Sequence, residues 1–241
     1  MLSFVLPVLN EAAGLKSLLL ALRRDFAAAE LIVVDGGSTD RSVAIALAHA
    51  DVVLTSEPGR ATQMNLGAAA AKGEWLLFLH ADSQPDFDAS ALEAELRLGS
   101  DWAFCRISLQ GGPMALPLIS WFINRRSRWS GIATGDQLLM LRRNVFAELG
   151  GFPNQALMED VEICKRLRRR VPAQRLSLTV HSSGRRWEQR GVILTVLQMW
   201  ALRAAYWAGA SPERLWDHYY GQRTLTKPGV GDESQGAGIE R

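Results

Sequence analysis

Over its first hundred residues the chain alternates short apolar runs with longer stretches of helical spacing, and this rhythm limits the fold more than any other feature. Leu2 to Val8, Leu31 to Val34, Val52 to Leu54, Trp75 to Leu79 and Trp102 to Leu109 read as short buried strands. Between the first two, Leu15, Leu18, Leu19, Leu22 and Phe26 recur with the period of a helix. Ser38-Thr39-Asp40 supplies capping residues for a helix over 41–49, and further helices are expected over 61–71 and 89–98. Regular strand–helix alternation of this kind predicts a parallel sheet with right-handed crossover helices.

After Leu109 the rhythm loosens. An apolar helix is expected over 114–126 and a strand over 137–141. Leu157, Val161, Cys164, Leu167 and Val171 mark an amphipathic helix, followed by a strand over 176–181. Residues 191–208 read as a helix that is apolar over most of its circumference, and the polar, Gly-rich stretch from 222 as a disordered tail.

Composition excludes several classes. At 241 residues, with 48% hydrophobic and 22% charged, the chain is neither disordered, nor collagenous, nor a disulfide miniprotein. Charge is uneven: residues 1–120 hold 8 Lys and Arg against 14 Asp and Glu, and the remainder 19 against 11. A basic second half suits an anionic partner, or simply solvated Arg on helix faces. Cys105 and Cys164 lack any metal-binding spacing and fit a reducing compartment. The N-terminus lacks the basic region of a signal peptide, and no apolar stretch reaches the roughly 20 residues of a membrane span. A cytoplasmic protein is therefore expected.

In open parallel sheets, ligands bind beyond the carboxyl ends of the strands, where strand order reverses. Asn10-Glu11, Asp35-Gly36-Gly37-Ser38 and His80-Ala81-Asp82 all follow expected strands. Each alone is as readily a helix cap; together they indicate a polar site.

These segments carry a definite resemblance. Pro7-Val8-Leu9-Asn10-Glu11, Val33-Val34-Asp35-Gly36-Gly37-Ser38-Thr39-Asp40 and Phe78-Leu79-His80-Ala81-Asp82-Ser83 resemble the ordered motifs of family 2 glycosyltransferases. Gly135-Asp136-Gln137 and Met158-Glu159-Asp160-Val161-Glu162 resemble that family's acceptor-side motifs. Gly59-Arg60, Gln63-Met64-Asn65, His80-Ala81-Asp82 and Arg185-Arg186-Trp187 are similar to a bacterial subgroup. The resemblance implies an α/β chain of GT-A fold: a mostly parallel sheet flanked by helices, with a C-terminal helical extension. One domain over 1–221 is implied: a donor half at 1–108, an acceptor half at 109–190 and the extension at 191–221, before a tail at 222–241.

The resemblance also implies roles. Pro7, Asn10, Glu11, Asp35, Gly37, Arg60, Ala81 and Asp82 fall in the donor motifs, with Glu11 and Asp35 on base and ribose and Arg60 near the diphosphate. Asp82 matches the last acid of the metal-binding Asp-x-Asp, implying Mn²⁺ or Mg²⁺. Two positions depart: His80 stands where that motif has its first acid, and Gly36 where the family has a second Asp. Asp160 matches the base of an inverting transfer, and Glu159, Gly135, Asp136 and Gln137 frame the acceptor. Glu159 and Asp160 also open a helix, where acids are expected from the dipole. From the residues themselves, Trp187 suits stacking on a sugar face and Arg186 a phosphate, or both belong to a surface loop.

The implied donor is a nucleotide sugar, UDP-linked by family analogy. The acceptor is open and includes lipid-linked hydroxyls. Nucleic acid is not expected as a partner. The Trp- and Arg-bearing helix from Gly191 suits a membrane surface, at its inner face, and equally a core or homodimer contact. Two further readings stand beside catalysis: a non-catalytic nucleotide-sugar binder at the membrane, and a nucleotidyltransferase. The latter would want a Gly-rich basic loop where Asn10-Glu11-Ala12-Ala13-Gly14 stands.

Overall fold

The computed structural model describes residues 1–96 and 100–220. Among them, one sheet contains β1 (Leu2–Val8), β2 (Glu30–Asp35), β3 (Val52–Thr55), β4 (Trp75–Phe78), β5 (Ser83–Pro85), β6 (Trp102–Gln110), β7 (Leu139–Arg142) and β8 (Gln174–Ser183). Their order is β3-β2-β1-β4-β7-β6-β8-β5. Pairs β1–β2, β2–β3, β1–β4 and β6–β8 are parallel, whereas β7 opposes both β4 and β6, and β5 opposes β8. The sheet is therefore mixed, mostly parallel as expected.

The helices are α1 (Ala12–Asp25), α2 (Ser42–His49), α3 (Arg60–Ala70), α4 (Ala89–Leu96), α5 (Leu116–Ser130), α6 (Arg143–Glu148), α7 (Glu159–Arg168), α8 (Arg185–Arg190), α9 (Val192–Trp207) and α10 (Pro212–Tyr220). A 3₁₀ turn spans Gly135–Gln137. Strands β1, β2 and β4 are buried on both faces, as parallel strands between helix layers must be. Phe4, Leu6, Leu31, Val33 and Leu77 pack with Leu15, Leu19 and Leu22 of α1 and Leu92 of α4. On the opposite face, Val5, Ile32, Val34, Leu76 and Phe78 pack with α3, α6, α7, Leu202 of α9 and α10.

Several elements differ from expectation. Gln137 lies in the 3₁₀ turn, because its buried amide bonds to Ser127 and Thr134 rather than entering the β7 ladder. The loop expected around Arg185 is the short helix α8, and β5, α6 and α10 lack an apolar period long enough to read. The last residues of the helix expected over 89–98, and the tail at 222–241, lie outside the described residues. Both cysteines are buried and unpaired. Among the described residues no helix is long and apolar enough to cross a membrane.

Chain order places the switch point between β1 and β4. From β1 the chain steps outward through β2 to β3, then returns to β4 on the other flank of β1. Leu139 opens β7 opposite Phe78, so the Gly135–Gln137 turn lies beside the end of β4. The crossover requires α3 to lie very close to the sheet. A Cβ at Gly67 would stand 2.5 Å from Val5 Cγ1 and 3.0 Å from Val34 Cγ2. Gly67→Ala gains about 1 kcal/mol of helix propensity, but overpacking a well-filled core costs about 1–3 kcal/mol. Urea unfolding of this variant is expected to show a net loss of stability.

Candidate active site at the sheet crossover

The loops after β1 and β2 are stitched together. Asn10, at φ 56°, presents its side-chain oxygen to the Thr39 N–H at 2.8 Å, while its own N–H donates to Ser38 Oγ at 2.8 Å. Asn tolerates this left-handed conformation better than most residues. The Glu11 N–H donates to Ser42 Oγ at 2.9 Å. Asp35 is buried, and its Oδ2 accepts from the Gly37 and Ser38 N–H groups, both at 2.9 Å. Its Oδ1 is buried with no hydrogen-bond partner among the described residues. One oxygen fixes the carboxylate, and the other remains an acceptor for a ligand N–H or hydroxyl. Pro7 lies within β1, paired with Val34.

Gln63 explains the departure at Gly36. Its buried side-chain amide donates to Val8 O at 2.9 Å and Val34 O at 2.8 Å, tying the ends of β1 and β2. A Cβ at residue 36 would lie 3.0 Å from Gln63 Nε2, so a second Asp there would press on this amide. Asn65, from the same segment, clamps Phe152 through paired backbone bonds of 2.9 Å. Neither residue was among the expected site residues. The available signal was a polar side chain among Ala61, Met64, Gly67 and Ala68 on the buried face of α3.

At the end of β4, Ala81 is buried and Asp82 exposed. The Glu11 carboxyl is pushed above its ordinary value, first by burial and next by the charge of Asp82, with Arg185 opposing. Arg185 Nη2 stands 3.5 Å from Glu11 Oε2. These two acids and one guanidinium form the mouth of the site. His80 packs over Gly135, where a Cβ would come 2.4 Å from its Nε2. Both ring nitrogens of His181 are engaged elsewhere: Nε2 is 3.2 Å from Asp86 Oδ2, and Nδ1 is 2.7 Å from Gln110 Nε2. Among the described residues no group of three or more His, Cys, Asp or Glu is arranged to hold a metal ion.

The opposite wall is built from the Gly135–Gln137 turn and the start of α7. The Gly135 N–H donates to Asp160 Oδ2 at 2.9 Å, and Asp160 Oδ1 accepts from the Val161 N–H at 2.7 Å. Gln137 is fully buried; its Oε1 accepts from Ser127 Oγ at 2.7 Å and the Thr134 N–H at 3.1 Å. It shapes the turn from within. Asp136 Oδ1 is buried without a hydrogen-bond partner among the described residues, and the charges of Arg126 and Arg203 act on both Asp136 and Asp160. Burial, reinforced by Arg203, lowers the Arg126 guanidinium to about 10. Asn10, Leu138 and Met158 are the positive-φ non-glycine residues among those described, and each adjoins a site segment. Strained backbone of this kind concentrates at functional sites.

Glu159 is buried, and desolvation followed by the neighbouring Asp160 charge raises its carboxyl to about 7; Arg60, 4.0 Å away, opposes this. Arg60 thus faces the site from α3. A small cavity lined by Met64, Phe78, His80, Gly135, Glu159 and Asp160 lies between these walls. Trp187 packs beside Ile107, Leu109, Leu116 and Ile119, and the Arg186 side chain lies outside those described.

Comparison with known proteins follows from this geometry. Residues 3–96 match the model of glycosyl transferase family 2. Over 97 residues the chain is 39% identical to a PGL/p-HBAD biosynthesis glycosyltransferase of Mycobacterium tuberculosis, covering 34% of this chain and 35% of that protein. An uncharacterized glycosyltransferase of the same organism is 36% identical over 99 residues, covering 40% and 44%. The matched segment thus spans less than half the length of either relative. The crystal structure of S. aureus TarS 1–349 superposes with a TM-score of 0.60 at 18% identity, over 76% of this chain and 60% of that one. The mannosyltransferase PcManGT of Pyrobaculum calidifontis, in complex with GDP-Man and Mn²⁺, superposes at 0.59 and 16% identity, over 85% and 60%. The architecture is the GT-A glycosyltransferase fold. The glycosyl transferase family 2 match, residues 3–96, falls on its first part.

The Glu159 shift sets a pH dependence. The folded state holds a proton that the unfolded chain releases above the ordinary carboxyl value of 4.5, so this group's stabilising contribution shrinks as pH rises from there through about 7. Denaturant midpoints should fall between pH 5 and pH 8 (roughly, from the reference and shifted values). Glu159→Gln, which stays neutral, should flatten that slope and be the more stable variant at the alkaline end.

Proposed function

We propose that this protein transfers a sugar from a nucleoside-diphosphate sugar to an acceptor hydroxyl, with inversion at the anomeric carbon. The observation that carries the reading is that Glu11, Asp35 and Asp82 follow the carboxyl ends of β1, β2 and β4 at the sheet crossover, with Asp160 bonded to the Gly135 turn beside β4. The family 2 match over residues 3–96 supports it, as do GT-A neighbours whose structures contain UDP-GlcNAc or GDP-Man. A UDP-sugar is the favoured donor.

In this reading Asp35 Oδ1 and Glu11 accept hydrogen bonds from the base and ribose. Arg60 reaches the diphosphate, where a guanidinium binds two oxygens at once. Asp160 removes the proton from the acceptor hydroxyl as its oxygen attacks the anomeric carbon and the nucleoside diphosphate leaves. Reach matters before acidity for such a base, and the Gly135 N–H aims the carboxylate. Gln137 and Thr134 hold that turn in place.

A divalent cation, Mn²⁺ or Mg²⁺, fits the donor set. Asp82 is an exposed carboxylate whose charge already raises Glu11, and hard cations are commonly held by one or two carboxylates plus substrate phosphates. Asp82, together with the substrate phosphates, would hold the ion, which would offset the charge developing on the departing diphosphate.

Nucleoside diphosphate release from a panel of nucleotide sugars tests the reaction. Asp160→Asn is expected to slow turnover by about 10²–10⁴-fold while leaving donor affinity within a few-fold. Full turnover in that variant would remove Asp160 from the mechanism, and binding without turnover in the wild type would favour a non-catalytic binder. The donor site has its own test in thermal stability, since selective ligands raise the melting midpoint. A shift with nucleoside diphosphate and Mn²⁺ should appear in the wild type and disappear in Asp82→Asn.

A further inference from the structure

Helix α9 is inverted relative to an ordinary surface helix. At 100° per residue, Ile193, Leu194, Leu197, Trp200 and Trp207 fall within an arc of about 140°, and that arc faces outward. These side chains are 74%, 68%, 56%, 69% and 61% exposed. The polar residues turn inward instead. Thr195 is buried with its hydroxyl on Gly191 O at 2.7 Å, and Arg203 lies beside Asp136 and Asp160. A helix that places its apolar arc in water and its charge in the protein requires something to cover that arc.

Helix α5 repeats the pattern. Leu118, Trp121, Phe122 and Trp129 are exposed at helical spacing, with Arg125 among them. The Arg125 guanidinium lies 4.5 Å from the centre of the Trp129 ring and 5.4 Å from that of Trp121. The two helices are neighbours: Leu116 and Ile119 of α5 share a small core with Val192 of α9, and Arg126 and Arg203 act on the same two acids.

Charge identifies the occupant. The α5 and α9 segments contain Arg125, Arg126, Arg128 and Arg203 and no acidic residue. Arg125 and Arg128 are exposed, and Lys165 is stacked 4.5 Å over the Trp207 ring. A symmetric contact with a second copy would set this patch against itself and bring Arg125 and Arg128 onto their own copies, with no acid on α5 or α9 to answer them. Tryptophans flanked by arginines around an aliphatic centre match the level of lipid headgroups. We propose that α5 and α9 form a docking surface for an anionic membrane, on which the protein binds peripherally. The surface stands independently of the transfer reaction.

Vesicle flotation of the full chain tests this, using phosphatidylcholine vesicles with and without phosphatidylglycerol, at low and high salt. Flotation with the anionic vesicles at low salt is expected, weakened at high salt as screening sets in. Leu197→Glu with Trp200→Glu alters only exposed positions and should weaken vesicle affinity by about ten-fold or more, with an unchanged melting midpoint. Arg125→Ala with Arg128→Ala should abolish the preference for anionic lipid while keeping the fold. No flotation at low salt would overturn the proposal, as would wild-type flotation in both double variants. Sedimentation without lipid is expected to give a monomer. A stable dimer dissociated by the α9 variant would assign the patch to a second copy instead.

Discussion

The strand-order reversal between β1 and β4 is the constraint on which the rest depends. Two adjacent parallel strands whose connections leave in different directions open a crevice at their carboxyl ends. Exposed backbone carbonyls at such an opening need partners, and the Gln63 amide supplies two of them, from Val8 and Val34. That amide occupies the space beside residue 36, where glycine leaves it undisturbed. The β2 loop accordingly folds around a single carboxylate, Asp35, with one oxygen held by its own loop and the other buried without a hydrogen-bond partner among the described residues.

The opposite wall depends on a second joint, the bond from the Gly135 N–H to Asp160. It couples α7 to the turn that leads into β7, the strand running against its neighbours β4 and β6. Because β7 returns antiparallel beside β4, its start rather than its end meets His80. Acids and cations alternate around this joint: Arg60 faces Glu159, and Arg126 and Arg203 face Asp136 and Asp160. Burial holds Glu159 near neutrality and lowers Arg126, so the wall carries polar groups whose desolvation is only partly offset. Arrangements that sacrifice stability in this way are characteristic of sites that act on ligands.

Much of this was legible in the residues. Both-face burial makes β1, β2 and β4 read as unbroken apolar runs, and the leucine spacing of α1 leaves no other assignment. Glu11, Asp35 and Asp82 pointed to the carboxyl ends of the strands because connections in such folds place them there, whereas Asp160 rested on the family resemblance alone. Less legible were β5 and α6, of 3 and 6 residues, too short to show a period. Gln137 read as a strand residue because the apolar run it precedes continues into β7. Gln63 stood in a segment that carries the subgroup resemblance but received no role, because one polar residue on a buried helix face is indistinguishable by pattern from one turned to solvent.

By itself the sequence determined the element types, the parallel core and the identity of the acids, since each follows from local spacing and residue chemistry. Only the tertiary structure decided which groups meet. The reversed strand β7, the clamp between Asn65 and Phe152, the packing of His80 on Gly135 and the outward apolar arcs of α5 and α9 join residues tens of positions apart. Hydrophobic periodicity records that a helix has two faces. Which of them meets the protein depends on what packs against it, and for α9 the inward side carries Arg203, within electrostatic reach of Asp160 and Asp136.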